Sequence, residues 1–373
     1  MRPELLLASL LTFATASAPA QWQILDAHTT ASLRGVHNVG QGIVWASGTN
    51  GTVLRSIDDG KSWTTCTTPP DADKLDFRGI QAFDANTAIV MSSGKGDLSR
   101  LYKTSDGCKT WRLVFTNPDK DGFWDAIYFE DHRFGALLGD PVQGRFVLFN
   151  TRDAGEHWER RDEEGLRTDP ATQGAFAASN SSLIAWTGLT HRFFVTGGTD
   201  GAYIHSCNGS LEPSADRWEA TCFRTRLPLA RAKESSGAFS IAVHETHFVV
   251  VGGNYKSPDR VAEGAAWSTS GESWDRPSSY PHGYRSAVAY DAPSKTWITV
   301  GPNGTDISTD DGRNWQALKP DTKAGDAPDA DQNWNALSLP FVVGPHGRIG
   351  KLRPDALHQP LTHPTKRLAT GNW

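Results

Sequence analysis

The chain has 373 residues, 37 basic and 42 acidic, for a formal net charge of −5. With 38% apolar and 21% charged residues it can fill a large core, which excludes a disordered chain, and its slight acidity leaves no footprint for nucleic acid. The 36 glycines and 14 tryptophans against 2 methionines favour tight turns and aromatic packing over long helices.

In chain order, a polar start over residues 1–4 is followed by an apolar run over 5–16 and a small-residue segment over 17–20, with Ala18 and Ala20 at the −3 and −1 positions of a cleavage site. This layout predicts a secretory signal peptide over 1–20. The apolar run falls short of the roughly 20 residues needed to span a bilayer, and no later stretch is long or apolar enough, so no membrane anchor is expected. A propeller domain is expected over 21–353 and a C-terminal tail over 354–373.

After the leader comes a strand-like Trp22-Gln-Ile-Leu25, and then seven segments with a common opening. They read Leu33-Arg34-Gly-Val, Phe77-Arg78-Gly-Ile, Phe123-Trp124-Asp125-Ala, Gly174-Ala-Phe176-Ala, Gly237-Ala-Phe239-Ser, Tyr284-Arg285-Ser-Ala and Asn333-Trp334-Asn-Ala. Each opens an apolar strand, a glycine-rich turn and another strand. An eight-residue motif then recurs: Ser56-Ile-Asp58-Asp-Gly60-Lys-Ser-Trp63, Thr104-Ser-Asp106-Gly107-Cys-Lys-Thr-Trp111 and Thr151-Arg-Asp153-Ala-Gly155-Glu-His-Trp158. It returns as Ser268-Thr-Ser-Gly271-Glu-Ser-Trp274 and Ser308-Thr-Asp310-Asp-Gly312-Arg-Asn-Trp315, with a degraded copy near Trp218. The Asp carboxylate can accept N–H groups of the turn it opens, Gly supplies a positive φ, and Trp covers the hairpin. These aspartates are therefore structural. A period of 40 to 50 residues is propeller spacing, and the pattern predicts an all-β, seven-bladed propeller of four-stranded antiparallel blades. The seventh segment lacks the motif and is one strand short, so the strand at Trp22 is expected to complete it and close the ring.

Four cysteines suit an oxidising compartment. Cys207 and Cys222 flank a short loop and could staple a hairpin, which leaves Cys66 and Cys108 as a second candidate pair. Neither pair has the spacing of a zinc or thioredoxin-like site, and the scattered histidines bring no ligand cluster, so no metal is expected. The acidic stretch 321–331 reads as a solvated loop, with calcium as the lesser alternative. Glycine-rich nucleotide loops and a Gly-x-Ser-x-Gly elbow are absent, so no cofactor is expected and no catalytic residue is nominated.

The repeated motif resembles the Asp-box of BNR-repeat propellers. Together with the Leu-Arg-Gly-Val and Phe-Arg-Gly-Ile openings and the Trp-containing first strand, the chain resembles the photosystem II stability and assembly factor family. The phrases Gly139-Asp140-Pro141-Val142 with Gly144-Arg145-Phe146, Tyr284-Arg285-Ser286-Ala287 and Gly301-Pro302-Asn303-Gly304 look like its bacterial branch. The resemblance implies an exported binding or assembly scaffold for an extracytoplasmic or membrane-protein partner.

First strands line the channel of a propeller, so Arg34, Arg78, Trp124, Asp125, Tyr284, Arg285 and Trp334 are expected near its upper rim. Residues from inner turns, Asp140, Asn254, Tyr255, Asn303 and His346, should join them. Such a mixture suits a protein or peptide segment, with a glycan as the second ligand class. Against this stands internal pairing of Arg34 and Arg78 with Asp125 and Asp140. The alternative function is a sialidase-like glycoside hydrolase in which Arg34, Arg78 and Arg285 hold an acidic sugar, with Tyr284 and Asp140 the only substitutes for its nucleophile and acid. Three arginine heads converging on an open pocket would favour the enzyme; arginines tied up internally would favour the scaffold.

Overall fold

The computed structural model describes residues 21–186, 191–210, 219–354 and 356–357. The expected leader, the motif copy at Trp218 and the tail from 358 lie outside them. Seven antiparallel sheets follow in chain order, and the first strands of successive sheets pack together until the seventh meets the first. The protein is a seven-bladed β-propeller.

Blade 1 shows the unit: Leu33–Gly40, Ile43–Gly48, Val53–Ser56 and Thr64–Thr65, each paired to the strand before it. Second strands such as Ala88–Ser92 and Thr296–Gly301 are buried along their whole length, because both sheet faces pack on neighbouring blades. Their sequences are accordingly continuous apolar runs rather than alternations. The core lies between blades. Trp45 and Val53 of blade 1, for example, meet Phe77, Ile80 and Val90 of blade 2. Full burial of a side chain of this size stabilises the fold by roughly 1.5–3 kcal/mol.

Blade 5 has three strands, Ser236–His244, His247–Asn254 and Ala265–Ser268. Its expected fourth strand shrinks to a single bridge between Trp267 and Asp275. Pro277 follows at once and has no N–H for a ladder, and the chain pairs instead with blade 6, where Ser278 N–H donates to Arg313 O at 2.8 Å.

Ring closure is antiparallel: Trp22–Leu25 pairs with Ile349–Leu352, Trp22 opposite Leu352 and Leu25 opposite Ile349. Trp22 is buried, donates to Thr305 Oγ1 at 3.0 Å and packs on Trp334 with ring centroids 6.1 Å apart. The acidic stretch beside it is not solvated throughout, as expected from sequence. Asp326 and Asp331 are buried, and the Asp326 carboxylate accepts the backbone N–H groups of Gln21 and Asp321. Short loops with many acids read as solvent-facing; here backbone donors draw Asp326 in, and the Lys319 ammonium holds Asp331 at 3.1 Å.

The recurring motif forms the turn between third and fourth strands. In blade 1, Ser56 Oγ accepts Gly60 N–H at 2.9 Å, and Asp58 Oδ1 accepts Ser62 N–H at 2.9 Å. Gly60 has φ +80°, and Gly155, Gly271 and Gly312 fall within a few degrees of it. In blade 2 the glycine is displaced by one residue: Cys108, at φ +63°, takes the tight position, and its N–H bonds to Thr104 Oγ1. Two consecutive residues have positive φ there, so glycine satisfies the turn at either site. Cys108 is thereby aimed at Cys66, and the disulfide ties blade 1 to blade 2. Cys207 and Cys222 are direct cross-strand partners in blade 4 and form the second disulfide.

Candidate functional site

The end of the ring opposite those turns carries the blade starts and the turns between second and third strands. Five glycines in or just after second strands, Gly48, Gly139, Gly252, Gly301 and Gly344, lie so close to a blade start that a Cβ would meet it, at 32–33, 123–124, 237–238, 284–285 and 333–334 respectively. This contact gives the true alignment. Leu33, Trp124, Ala238, Arg285 and Trp334 are equivalent and face the blade interior, as does Phe77. The next residue in each blade, Arg34, Arg78, Asp125, Phe239, Ser286 and Asn335, faces the channel, and all six line one cavity of about 540 Å³. In blades 1, 2, 3 and 5 that residue sits at a β-bulge, which re-aims it.

The alignment revises three of the sequence expectations by one residue, Trp124, Arg285 and Trp334. Trp124 belongs to the core between blades, not to the rim. Arg285 is fully buried, bonded to the equally buried Asp306 and to Asn303. Because side chains alternate across a strand, a slip of one residue moves a side chain from channel to interior. Asn303 is spent on Arg285 and on Pro258 O and His282 O, while Asn254 caps its own turn by accepting Lys256 N–H. His346 is exposed in a turn of blade 7 and does not line the cavity. Tyr255, Tyr284 and Asp140 do line it, while Trp334 borders it with its ring packed in the core between blades 6 and 7.

Blade 4 departs most from expectation. Gly174 makes only an isolated bridge with Gly197, and the first strand begins later, at Leu183–Trp186. The intervening residues cross the channel. Arg78 donates to Ala177 O at 3.2 Å, Ser179 Oγ to Ser286 O at 2.7 Å, and Asn180 Oδ1 accepts Ile127 N–H at 2.8 Å. Ser181 and Ser240 hydroxyls are 2.7 Å apart. Four other blades thus hold this strap, and Ala177 and Ala178 form part of the cavity lining. The polar run Ser179-Asn180-Ser181-Ser182 was the signal in the sequence for a non-strand segment with many local hydrogen bonds.

The cavity has two unlike walls. On one side stand Arg34, Arg78, Asp125 and Asp140. Arg78 Nε donates to Asp76 Oδ2 at 2.7 Å, so its ion pair is with Asp76 and not with the cavity acids. Arg34 has no ion-pair or hydrogen-bond partner among the described residues, and its Nε is buried. Burial, and after it the charge of Arg78, lowers the affinity of its guanidinium for its proton. Asp125 is buried with Oδ2 unpartnered; burial and the charge of Asp140 push its pKa well up, against the charge of Arg78 and the nearby backbone N–H groups of Asp140 and Ala177. Asp140 is pushed up to about 6 by burial, partly offset by the Ala175 N–H bond to Oδ1.

The other wall is aromatic. Phe176 stacks on Phe239 with centroids 3.9 Å apart, Tyr284 meets Phe239 edge-on at 4.8 Å, and Tyr255 flanks both while remaining 47% exposed. Phe176, Phe239, Ser286 and Asn335 were missing from the sequence-based set, although all lie within the aligned openings. A flat apolar face opposite two guanidinium groups can take a carboxylate next to an apolar or aromatic group. Three converging arginines, as a sialidase-like site requires, are not present in this cavity, since Arg285 is engaged with Asp306.

No protein-family model matches the chain, and no curated protein sequence matches it. Solved structures do. YCF48 bound to D1 peptide superposes with a TM-score of 0.58 at 17% identity, over 90% of this chain and 99% of that one. YCF48 from Cyanidioschyzon merolae gives 0.56 at 18%, over 90% and 100%. The WD40 propeller domain of Doa1 gives 0.55 at 10%, over 90% and 97%. The likeness is one of fold. At these identities the cavity residues must speak for themselves.

Proposed function

We propose that this protein is an exported binding scaffold that holds a carboxylate-bearing segment of a protein partner in its upper cavity. The observation that carries the reading is Arg34: a half-buried cation with no ion pair or hydrogen bond among the described residues, its neighbouring carboxylate Asp76 being held by Arg78, and facing an aromatic wall. A desolvated guanidinium is costly unless an anion completes it, so Arg34 favours a ligand that brings one. The aromatic wall supplies apolar contact to the flanking residues. That YCF48 has been solved with a D1 peptide makes a peptide ligand reasonable for a propeller of this shape. Export rests on the leader over 1–20, and the two disulfides suit an oxidising compartment.

Capture by the tagged full chain from the extracytoplasmic fraction, followed by cross-link mapping, tests the reading. A protein cross-linked at the cavity rim and lost with Arg34→Gln is the expected result. Equal recovery with that variant, or turnover of a sialylated or uronic glycan, would overturn it.

A further inference from the structure

The closing strand begins in a site built for more than an amide. Gln21 is buried at 1% exposure, and its backbone N–H donates to Asp326 Oδ2 at 2.9 Å. Its side-chain amide donates to Leu318 O at 2.7 Å, and Arg353 N–H donates to Gln21 O. The Asp326 carboxylate is wholly buried, yet the nearest cationic group, Arg353 Nε, is 4.0 Å away. Two buried acceptors at this point, Asp326 Oδ1 and Gln21 Oε1, receive no hydrogen bond. A buried carboxylate with one oxygen unserved is expensive. One backbone N–H cannot serve it, because an amide nitrogen carries a single proton.

Residue 21 is also the residue that follows the expected cleavage site. We propose that Asp326 is the binding site for the chain's own new α-ammonium group: leader removal after Ala20 creates the cation that completes the ring. In that step a leader-cleaving protease hydrolyses the Ala20–Gln21 amide with one water. Ala20 leaves with a new carboxylate, and the Gln21 nitrogen takes up protons to become an ammonium with three donors. One of those donors is already placed on Oδ2, and the other two arrive where two buried acceptors are unserved. The charge lands beside Asp326, with Asp321 and Arg353 as the other ionisable residues packed around it. The ring therefore gains its last contact only once the leader is gone, and the unprocessed chain closes more weakly. This rests on the export reading.

The test uses the full chain secreted with its own leader. Intact-mass analysis should place the N-terminus at Gln21 with its amine free; a mass lower by one ammonia, the mark of a glutamine cyclised on its own side chain, would remove the ammonium and overturn the proposal. Thermal unfolding of that protein is then compared with a form keeping Ala20, whose nitrogen at residue 21 remains an amide. The processed form should unfold higher by roughly 2–4 °C at pH 6. An ammonium held by a carboxylate has its pKa raised, so the gain is complete below the ordinary α-amino value of about 8 and fades as pH rises above it. Asp326→Asn should erase the difference between the two forms, whatever its effect on each. An uncleaved or differently cleaved chain overturns both this proposal and its export premise. Correct cleavage with equal unfolding of the two forms at pH 6, or a difference that survives Asp326→Asn, overturns the proposal and leaves export standing.

Discussion

The two faces of the ring follow opposite rules. On the lower face, one turn is repeated: hydroxyl and carboxylate of Ser56 and Asp58, Thr104 and Asp106, Thr151 and Asp153, and Ser308 and Asp310 lie 2.9 Å apart in each case and take up the N–H groups of their own hairpin. On the upper face the channel residue changes around the ring, arginine in blades 1 and 2, aspartate in blade 3, phenylalanine in blades 4 and 5, serine in blade 6 and asparagine in blade 7, and among the described residues Arg34 Nε and Asp125 Oδ2 are left without partners. Repetition, with each of these hydroxyls and carboxylates satisfied, marks what the fold needs. Variation with groups unsatisfied marks what the fold does not explain. The comparison predicts that lower-face changes move stability alone and that upper-face changes move binding.

The largest effect is expected from removing the lower-face disulfide. Cys66→Ser with Cys108→Ser opens a link spanning 42 residues, and loss of that loop constraint should cost about 4 kcal/mol in denaturant unfolding. Binding to a carboxylate-bearing peptide should be unchanged in the protein that remains folded.

Next comes Asp140→Asn, which sharpens the comparison by pH. A carboxyl held near 6 in the folded state, above its ordinary 3.8, favours folding while neutral and loses that advantage as pH rises through about 6. Wild type and variant should therefore unfold alike near pH 3–4, and the variant should be more stable above pH 6, by at most about 3 kcal/mol. Asparagine keeps an oxygen for the Ala175 N–H. Urea titrations across pH 4 to 8 would show it, and parallel curves would break the assignment of Asp140 as a buried acid.

Arg34→Gln should weaken binding of a carboxylate-bearing peptide at least tenfold, as a charge-assisted hydrogen bond is worth roughly 1.5–3 kcal/mol. Its melting temperature should stay level or rise, because an unpaired cation has been removed. A fall in stability with binding intact would erase the contrast between the faces. The smallest effect belongs to Gly60→Ala on the lower face. At φ +80° an added Cβ meets Phe341 at 2.7 Å and Leu25 at 3.1 Å, so a loss of about 1–2 kcal/mol is expected, again without change in binding.

What could be read from sequence follows the same division. The hairpin motif is local, its hydroxyl, carboxylate, glycine and tryptophan falling within eight residues, so blade number and ring closure were legible without tertiary knowledge. The site was legible only in part. Tyr284-Arg285-Ser286 looks like Phe77-Arg78-Gly79, yet Arg285 sits in register with Phe77. The clue was Asp306, a carboxylate in a third strand that is buried throughout, which demands a cation inside the blade. Its partner is 21 residues away, beyond the reach of a local pattern. The strap over the channel escaped for a related reason: its hydrogen bonds go to blades 2, 3, 5 and 6, none of which is adjacent in its own motif.

That strap has a consequence for traffic through the molecule. With Ala177 and Ala178 under the cavity and serine and asparagine bonds tying the segment to the surrounding blades, the ring is a cup and not a pore. A bound segment cannot be threaded from one side to the other. On the proposed function, a segment held there would have to leave by the mouth through which it came, and any recipient would have to approach the same face and compete for it there.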